Sequence, residues 1–246
     1  MAILHGKGSK IFLAEYDFSG SGRSADLSWT KAATRSDGYS DNWHEHIEGS
    51  IDSEVAVKAM FSNVAGSLDY FIHNTLGSFS GKGISIIPGS PAVSGVAYNG
   101  EVKATSMGVP VSIEDVVLVE PTFKVTGPLG RGKVAEYEVA TTVSPQTGTG
   151  IDMGAAASTD EMWLVTYHIL SCTGGTATIK LQESSDNGSV DTYEDVEGSS
   201  HDFTTAGSWC GTINGAREQY VRVVFAPGAG TPWAKFVVVV SKVNKQ

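Results

Sequence analysis

Residues 24–61, SADLSWTKAATRSDGYSDNWHEHIEGSIDSEVAVKAMF, decide how the rest of the chain is read. Both ends alternate. Ala25, Leu27 and Trp29 fall on one side of an extended chain, with Ser24, Asp26, Ser28 and Thr30 on the other. Further on, Ile51, Ser53, Val55, Val57, Ala59 and Phe61 alternate with Asp52, Glu54, Ala56, Lys58 and Met60. A period of two marks strands with one face on a core and one on water or a partner. Lys31 to Ser50, between them, is polar and broken by Gly38 and Gly49, too long for a tight turn. Tyr39, Trp43 and Ile47 punctuate it as a surface that awaits a partner. The stretch predicts a long-armed hairpin.

Working outward, the 246 residues suffice for one large domain or two ordinary ones with a real core. The 29 glycines, the Ser/Thr-rich turns and the abundant valine favour an all-β chain. A formal net charge of −10 argues against a general nucleic-acid binder, which must neutralise phosphates. The charge is shared evenly: 11 − 16 = −5 through Pro145 and 6 − 11 = −5 beyond it. The start, MAILHGKGSK, carries no signal-peptide pattern, and the longest apolar runs, such as Phe236 to Val240, are far short of a membrane span. Cys172 and Cys210 are expected as reduced thiols rather than a disulfide.

Lys10 to Asp17 reads as a first strand. Asn63 to Leu76 changes to helical spacing at Leu68, Ile72, Thr75 and Leu76, with Ser67 as cap and Gly77 as stop. Strands are predicted at Ile84 to Ile87, Gly95 to Ser106, Ser112 to Val125 and Val134 to Val143. Val116 to Val119 is expected to be buried on both faces. The glycine- and threonine-rich segment after Val143 reads as a linker, which gives domains at 1–145 and 158–246 joined by 146–157. Beyond it, MWLVTYHIL, ATIKLQES, YVRVVFA and AKFVVVVSK, with a turn at Asp186-Asn187-Gly188, predict a β-sandwich.

Chemistry is sparse. Gly127-Pro-Leu-Gly-Arg-Gly132-Lys133 matches the glycine–lysine part of a phosphate loop. Val134 stands where a Ser or Thr should hold magnesium, so the segment reads as a turn. His44 and His46, near Glu45 and Glu48, offer two nitrogen donors with no third ligand fixed by spacing. Asp186, Asp191, Glu194, Asp195 and Glu197 do not match a calcium loop and read as a solvated hairpin tip. No serine elbow, zinc-protease helix or CxxC is present, so no catalytic, cofactor or metal site is assigned. Trp163, Tyr167, Tyr193, Trp209 and Trp233 could stack on sugars or fill a core.

The first half resembles the major tail (tail tube) proteins of long, non-contractile-tailed bacteriophages. The residues that carry the resemblance are Asp17-Phe18-Ser19-Gly20, the serine-rich strand, Trp43 followed by His46-Ile47-Glu48-Gly49, the second alternating strand, and Ala65-Gly66-Ser67-Leu68-Asp69. They span about residues 5 to 132. The second half is similar, more loosely, to β-sandwich appendages on some members. The fold that follows is mainly β: a tail-tube-type sandwich or barrel with one helix and a long hairpin loop, plus a C-terminal β-sandwich on the tube exterior.

What the resemblance implies is a structural virion protein, not an enzyme, made in the host cytoplasm and built into the virion tail. Its partners would be itself, as homohexameric rings stacked into a tube, the tape-measure protein, and the tail terminator and tip proteins. DNA would be met only in transit and no membrane at all. Roughly 24 strands about 4.8 Å apart and tilted about 40° would close a barrel some 45–50 Å across. The loop residues Thr34, Arg35, Asp37, Tyr39, Trp43, His44, His46 and Ile47 are then candidates for contact between rings. Asp26, Asp52 and Glu54 are candidates for the lumen, where negative charge lets DNA slide. Six copies per ring, or three with duplicated domains, both remain open at this stage. A glycan-binding sandwich module and a virion ring or decoration protein that does not stack are the alternatives.

Overall fold

The computed structural model describes residues 8–35, 46–62, 64, 66–76, 81–111, 115–140 and 144–245. The strands are β1 (Lys10–Leu13), β2 (Tyr16–Asp17), β3 (Gly22–Arg35), β4 (His46–Met60), β5 (Lys82–Ile87), β6 (Val96–Gly108), β7 (Leu118–Ala140), β8 (Gln146–Thr147), β9 (Ile151–Asp152), β10 (Glu161–Ser184), β11 (Glu194–Asp195), β12 (His201–Phe203), β13 (Gly207–Asn214) and β14 (Tyr220–Asn244). Among the described residues one helix, α1 (Leu68–Thr75), joins them. The fold is mainly β, as the composition predicts. Two compact units divide it: unit 1 holds 1–21, 80–102 and 126–246, and unit 2 holds 22–79 and 103–125.

The organising feature of unit 1 is the run Phe236 to Val240, apolar at every position. Its two faces serve different cores. Phe236, Val238 and Val240 enter one core with Trp163, Tyr167, Ile179 and Val223, while Val237 and Val239 pack with Phe12, Ile87 and Val134. A strand buried on both faces is the reason for unbroken valine. β10 and β14 pair antiparallel along nearly their whole lengths, from Glu161↔Asn244 to Ser184↔Tyr220. Midway the ribbon bends. Gly175 and Gly230 are cross-strand partners with φ of +150° and +94°, flanked by register shifts. Only glycine adopts both conformations without strain. The bend folds the ribbon over itself, so residues from both halves share one core, with the Phe225 and Phe236 rings stacked at 6.1 Å.

Polar pins fix the second core. The His168 ring, fully buried, contacts the Ala14 carbonyl through Nδ1 at 2.7 Å and Ser85 Oγ through Nε2 at 2.8 Å. Buried Asn99 donates to Thr166 Oγ1 at 3.0 Å and to the Leu164 carbonyl at 3.2 Å, and accepts from Ser241 Oγ. Satisfying buried polar groups in this way holds layers in one register.

Unit 2 is a four-stranded antiparallel sheet. β4 lies between β3, from Gly22↔Ala59 to Arg35↔His46, and the first part of β7, from Glu54↔Lys124 to Met60↔Leu118. The end of β6 lies on the far side of β7, where Thr105 Oγ1 donates to the Thr122 carbonyl at 3.1 Å. Alternation works as predicted on β4: Ser53, Val55, Val57 and Ala59 are buried, and the residues between them are not. In α1, Ser67 caps by accepting from the Tyr70 amide, and Leu68, Phe71 and Ile72 are buried.

Several expectations are corrected. Gly127 to Gly132 is not a turn but the middle of β7. A Cβ at Gly130 would overlap the Ser241 side chain, and one at Gly132 the Val240 carbonyl and Ser241 Cα, so these glycines permit close strand approach. The pairs MWLVTYHIL/ATIKLQES and YVRVVFA/AKFVVVVSK are each one bent strand. Val116 is exposed, whereas Val119 is buried. The compact units do not part at 146–157: that segment holds β8 and β9, which pair with β14. The hairpin arms run on to Arg35 and resume at His46, so Lys31 to Ser50 is not all loop.

Candidate assembly surface

Parity along the strands brings the three proposed lumen residues to one face. Asp26 pairs with Ala56, Ser28 with Glu54 and Thr30 with Asp52, so Asp26, Glu54 and Asp52 all stand opposite the buried Val55 and Val57. Lys124 on β7 reaches both β4 carboxylates, Asp52 at 2.9 Å and Glu54 at 3.0 Å. Hydrogen bonds that it donates to Asp52 and then to Glu54 hold its ammonium above the usual lysine value. Lys58 pairs with Glu120 at 3.1 Å on the same face. The face is therefore less acidic than its carboxylates alone suggest, and Asp26 is its exposed acid without an ion-pair partner among the described residues. Lys124 lies some seventy residues from Asp52, and no local signal in the sequence pointed to it.

The opposite face outruns its core. Ser53 is 7% exposed, and one pleat further Ile51 is 51% exposed, with Trp29 at 48% on the paired strand. Among the described residues, eleven large apolar side chains are exposed. Nine of them, Trp29, Ile51, Phe61, Val64, Tyr70, Leu76, Val109, Val111 and Val116, belong to unit 2. Scattered exposed apolar groups are ordinary, but here they are concentrated in the smaller unit.

Both edges of the unit 2 sheet are open among the described residues. β3 pairs only with β4 along its 14 residues. The β5 partnership of β6 stops at Val102, which leaves residues 103–108 with a vacant side. Open edges present unpaired N–H and C=O groups to any chain that can add to them.

Of the ring-contact candidates, Thr34 and Arg35 lie at the end of β3, in register with Ile47 and His46 on β4. Asp37, Tyr39, Trp43 and His44 lie outside the described residues, as does Glu45 of the histidine pair. The aromatic residues of the C-terminal half do not form one platform. Trp163 and Tyr167 are fully buried, Trp209 stacks on His201 at 4.0 Å, and Arg222 covers Tyr193 at 3.9 Å. The acidic hairpin tip is occupied internally: Asp186 accepts from the Ser189, Val190 and Asp191 amides, and Asp195 pairs with Lys180. Among the described residues no three His, Cys, Asp or Glu side chains converge on a metal site. No helix there is long and apolar enough to cross a membrane.

No protein-family model matches the sequence, and no curated protein matches it significantly. Among solved structures, the neighbours include chains of virions and of tails. A chain of the virion of a native gene transfer agent particle is 14% identical over 52% of this chain and 98% of its own, with a TM-score of 0.41. The SPP1 tail tube is 11% identical over 53% and 80%, at 0.43. The SPP1 Dit protein, a hub of the adsorption apparatus, is 11% identical over 96% and 99%, at 0.38. Every score lies below 0.5, so what bears on function is the chain's own edges and faces.

Proposed function

We propose that this chain is a structural, non-enzymatic subunit of a phage-type tail, which closes into rings that stack as the tube through which DNA leaves. The observation that carries the reading is the unit 2 sheet: four strands, two open edges, and most of the exposed apolar side chains. β3 of one copy pairs with residues 103–108 of the next. About six backbone hydrogen bonds at about 0.5–1.5 kcal/mol each contribute roughly 3–9 kcal/mol before apolar contact is added. A contact between two different edges is heterologous, so repetition closes a ring by rotation.

Three copies could match the strand number of six only with a duplicated sheet. Among the described residues the second half has no helix of its own beside a long hairpin, which favours six. Six sheets of four strands give a backbone diameter of about 48 Å at about 4.8 Å spacing and about 40° tilt. Three give about 24 Å, between the roughly eight-stranded barrels that side chains fill and the roughly 16-stranded ones that conduct water. Such a bore is too narrow for a duplex roughly 20 Å across, a little over twice its groove depth. In the six-copy ring Asp26, Asp52 and Glu54 line the lumen. The hairpin end, from Thr34 to Ile47, meets the neighbouring ring. The tape-measure protein and tail tip proteins are the further partners.

The test is electron microscopy of concentrated protein beside Trp29→Asp/Ile51→Lys. Both residues are half exposed, so the variant should keep its fold. Losing the further burial of two such side chains costs about 2–3 kcal/mol per contact, a roughly 30- to 150-fold weaker association. Rings or tubes in the wild type that vanish in a folded variant are expected. A wild type that stays monomeric at every concentration, with or without a tail-tip initiator, would sink the reading.

A further inference from the structure

The segment SPQTGTGID, which the sequence suggested as a linker, forms one wall of a cavity in unit 1. The cavity has a volume of about 240 Å³ and is lined by Glu136, Gln146 to Thr149, Val223, Phe225 and Phe236. β8 holds the wall in place: Gln146 and Thr147 pair with Phe225 and Val224, and the Gly148 amide donates to the Val223 carbonyl at 2.8 Å. Opposite stands Glu136. It pairs with Val238, a residue of the sandwich core, so its side chain projects from the core-facing side of β7.

A carboxylate there is unusual. Burial raises its pKa, and among the described residues its hydrogen-bond partner is the Tyr137 amide at 3.3 Å. No cation among the described residues pairs with it. Gly148 makes the room: a Cβ there would overlap Glu136 Oε2. The site thus has one partly desolvated negative charge, an apolar floor from Val223 and two phenylalanines, and Thr147 and Thr149 in its lining. A partly buried charge calls for a counter-charge. Calcium takes six to eight oxygen ligands, commonly several carboxylates, and in this lining only Glu136 supplies one. A monovalent cation on an aliphatic stem matches the charge, the floor and the small volume.

We propose that this cavity binds an alkylammonium group, with the nitrogen on Glu136 and the stem on the Val223–Phe225–Phe236 floor. The group is supplied either by a free amine or by a lysine of a second copy. The site stands independently of tube assembly and tests separately from it.

Titrating the full chain with n-butylamine, followed by amide NMR shifts at residues 146–149, should give saturable binding with Kd on the order of 1 mM. n-Butanol, the neutral analogue, should not bind. Glu136→Gln removes the charge, and Gly148→Ala displaces the carboxylate and crowds the Val223 carbonyl at 3.2 Å. Each should weaken binding at least about tenfold, Glu136→Gln at unchanged melting temperature. Zero-length carbodiimide coupling distinguishes the source: a Glu136–lysine cross-link between copies, competed by butylamine, assigns the lysine, and amine binding without a cross-link assigns a free amine. Absence of both, or binding that survives Glu136→Gln, would overturn the proposal.

Discussion

His168 offers a direct measure of how firmly β1 and β10 are tied. The neutral ring uses both nitrogens, donating through one and accepting through the other, between Ala14 and Ser85. Complete burial lowers its pKa from 6.5 to about 4, against a smaller opposing effect of the Ala14 carbonyl. The folded state therefore binds fewer protons than the unfolded chain between those values. The stabilisation is complete above the unfolded pKa and is lost as pH falls through the folded one. Lowering pH from about 7.5 to about 4.5 should remove about 2.5 kcal/mol on this account alone, at about 1.36 kcal/mol per pKa unit. Urea unfolding at both pH values, for wild type and His168→Gln, isolates the contribution. The variant should be less stable near neutrality, since its partners lose geometry, and should lose less on acidification. Carboxylates titrate equally in both proteins and cancel in the difference. Parallel pH profiles would show that His168 does not titrate across a buried site, and the pinning role would fail.

Gly132→Ala should destabilise by about 1–3 kcal/mol, or roughly 2–12 °C in melting temperature, because backbone of β14 stands where the methyl would go. Gly20→Ala, with open space around it and no left-handed φ, should be neutral or stabilise by up to about 1 kcal/mol. Equal melting temperatures for the two would restore the turn reading of Gly127 to Gly132. Ser67→Ala should cost about 0.5–2 kcal/mol in urea unfolding, with Ser67→Asn close to wild type.

What the sequence made legible follows from how local each signal is. Burial on both faces, expected at Val116 to Val119, is found at Phe236 to Val240, whereas the α1 cap was readable because it depends on neighbours within a few positions. Parity placed Asp26, Asp52 and Glu54 on one face for the same reason. Gly130 and Gly132 were misread because a glycine that makes a turn and one that admits another strand look alike until the partner, more than a hundred residues away, is known. The merging of β10 and of β14 was hidden in the same manner: Gly175 and Gly230 punctuate each run, yet they bend the strands together rather than ending them. Lys124 and Glu136 gain their meaning from tertiary neighbours, so neither could be singled out beforehand.

The position of β14 in chain order has a consequence for biosynthesis. It supplies hydrogen-bond partners to β7, β8, β9 and β10, all of which precede it. Unit 1 therefore cannot close until this strand has left the ribosome. At about 5–20 residues per second, the 60 residues from Ser184 to Asn244 take roughly 3–12 s to make. Long-range pairing of this kind is also slow to form. Unit 2, built from residues 22–79 and 103–125, is synthesised earlier. Its open edges and apolar face emerge before the rest of the chain can fold, an interval in which a nascent subunit must be shielded from its own sticky sheet.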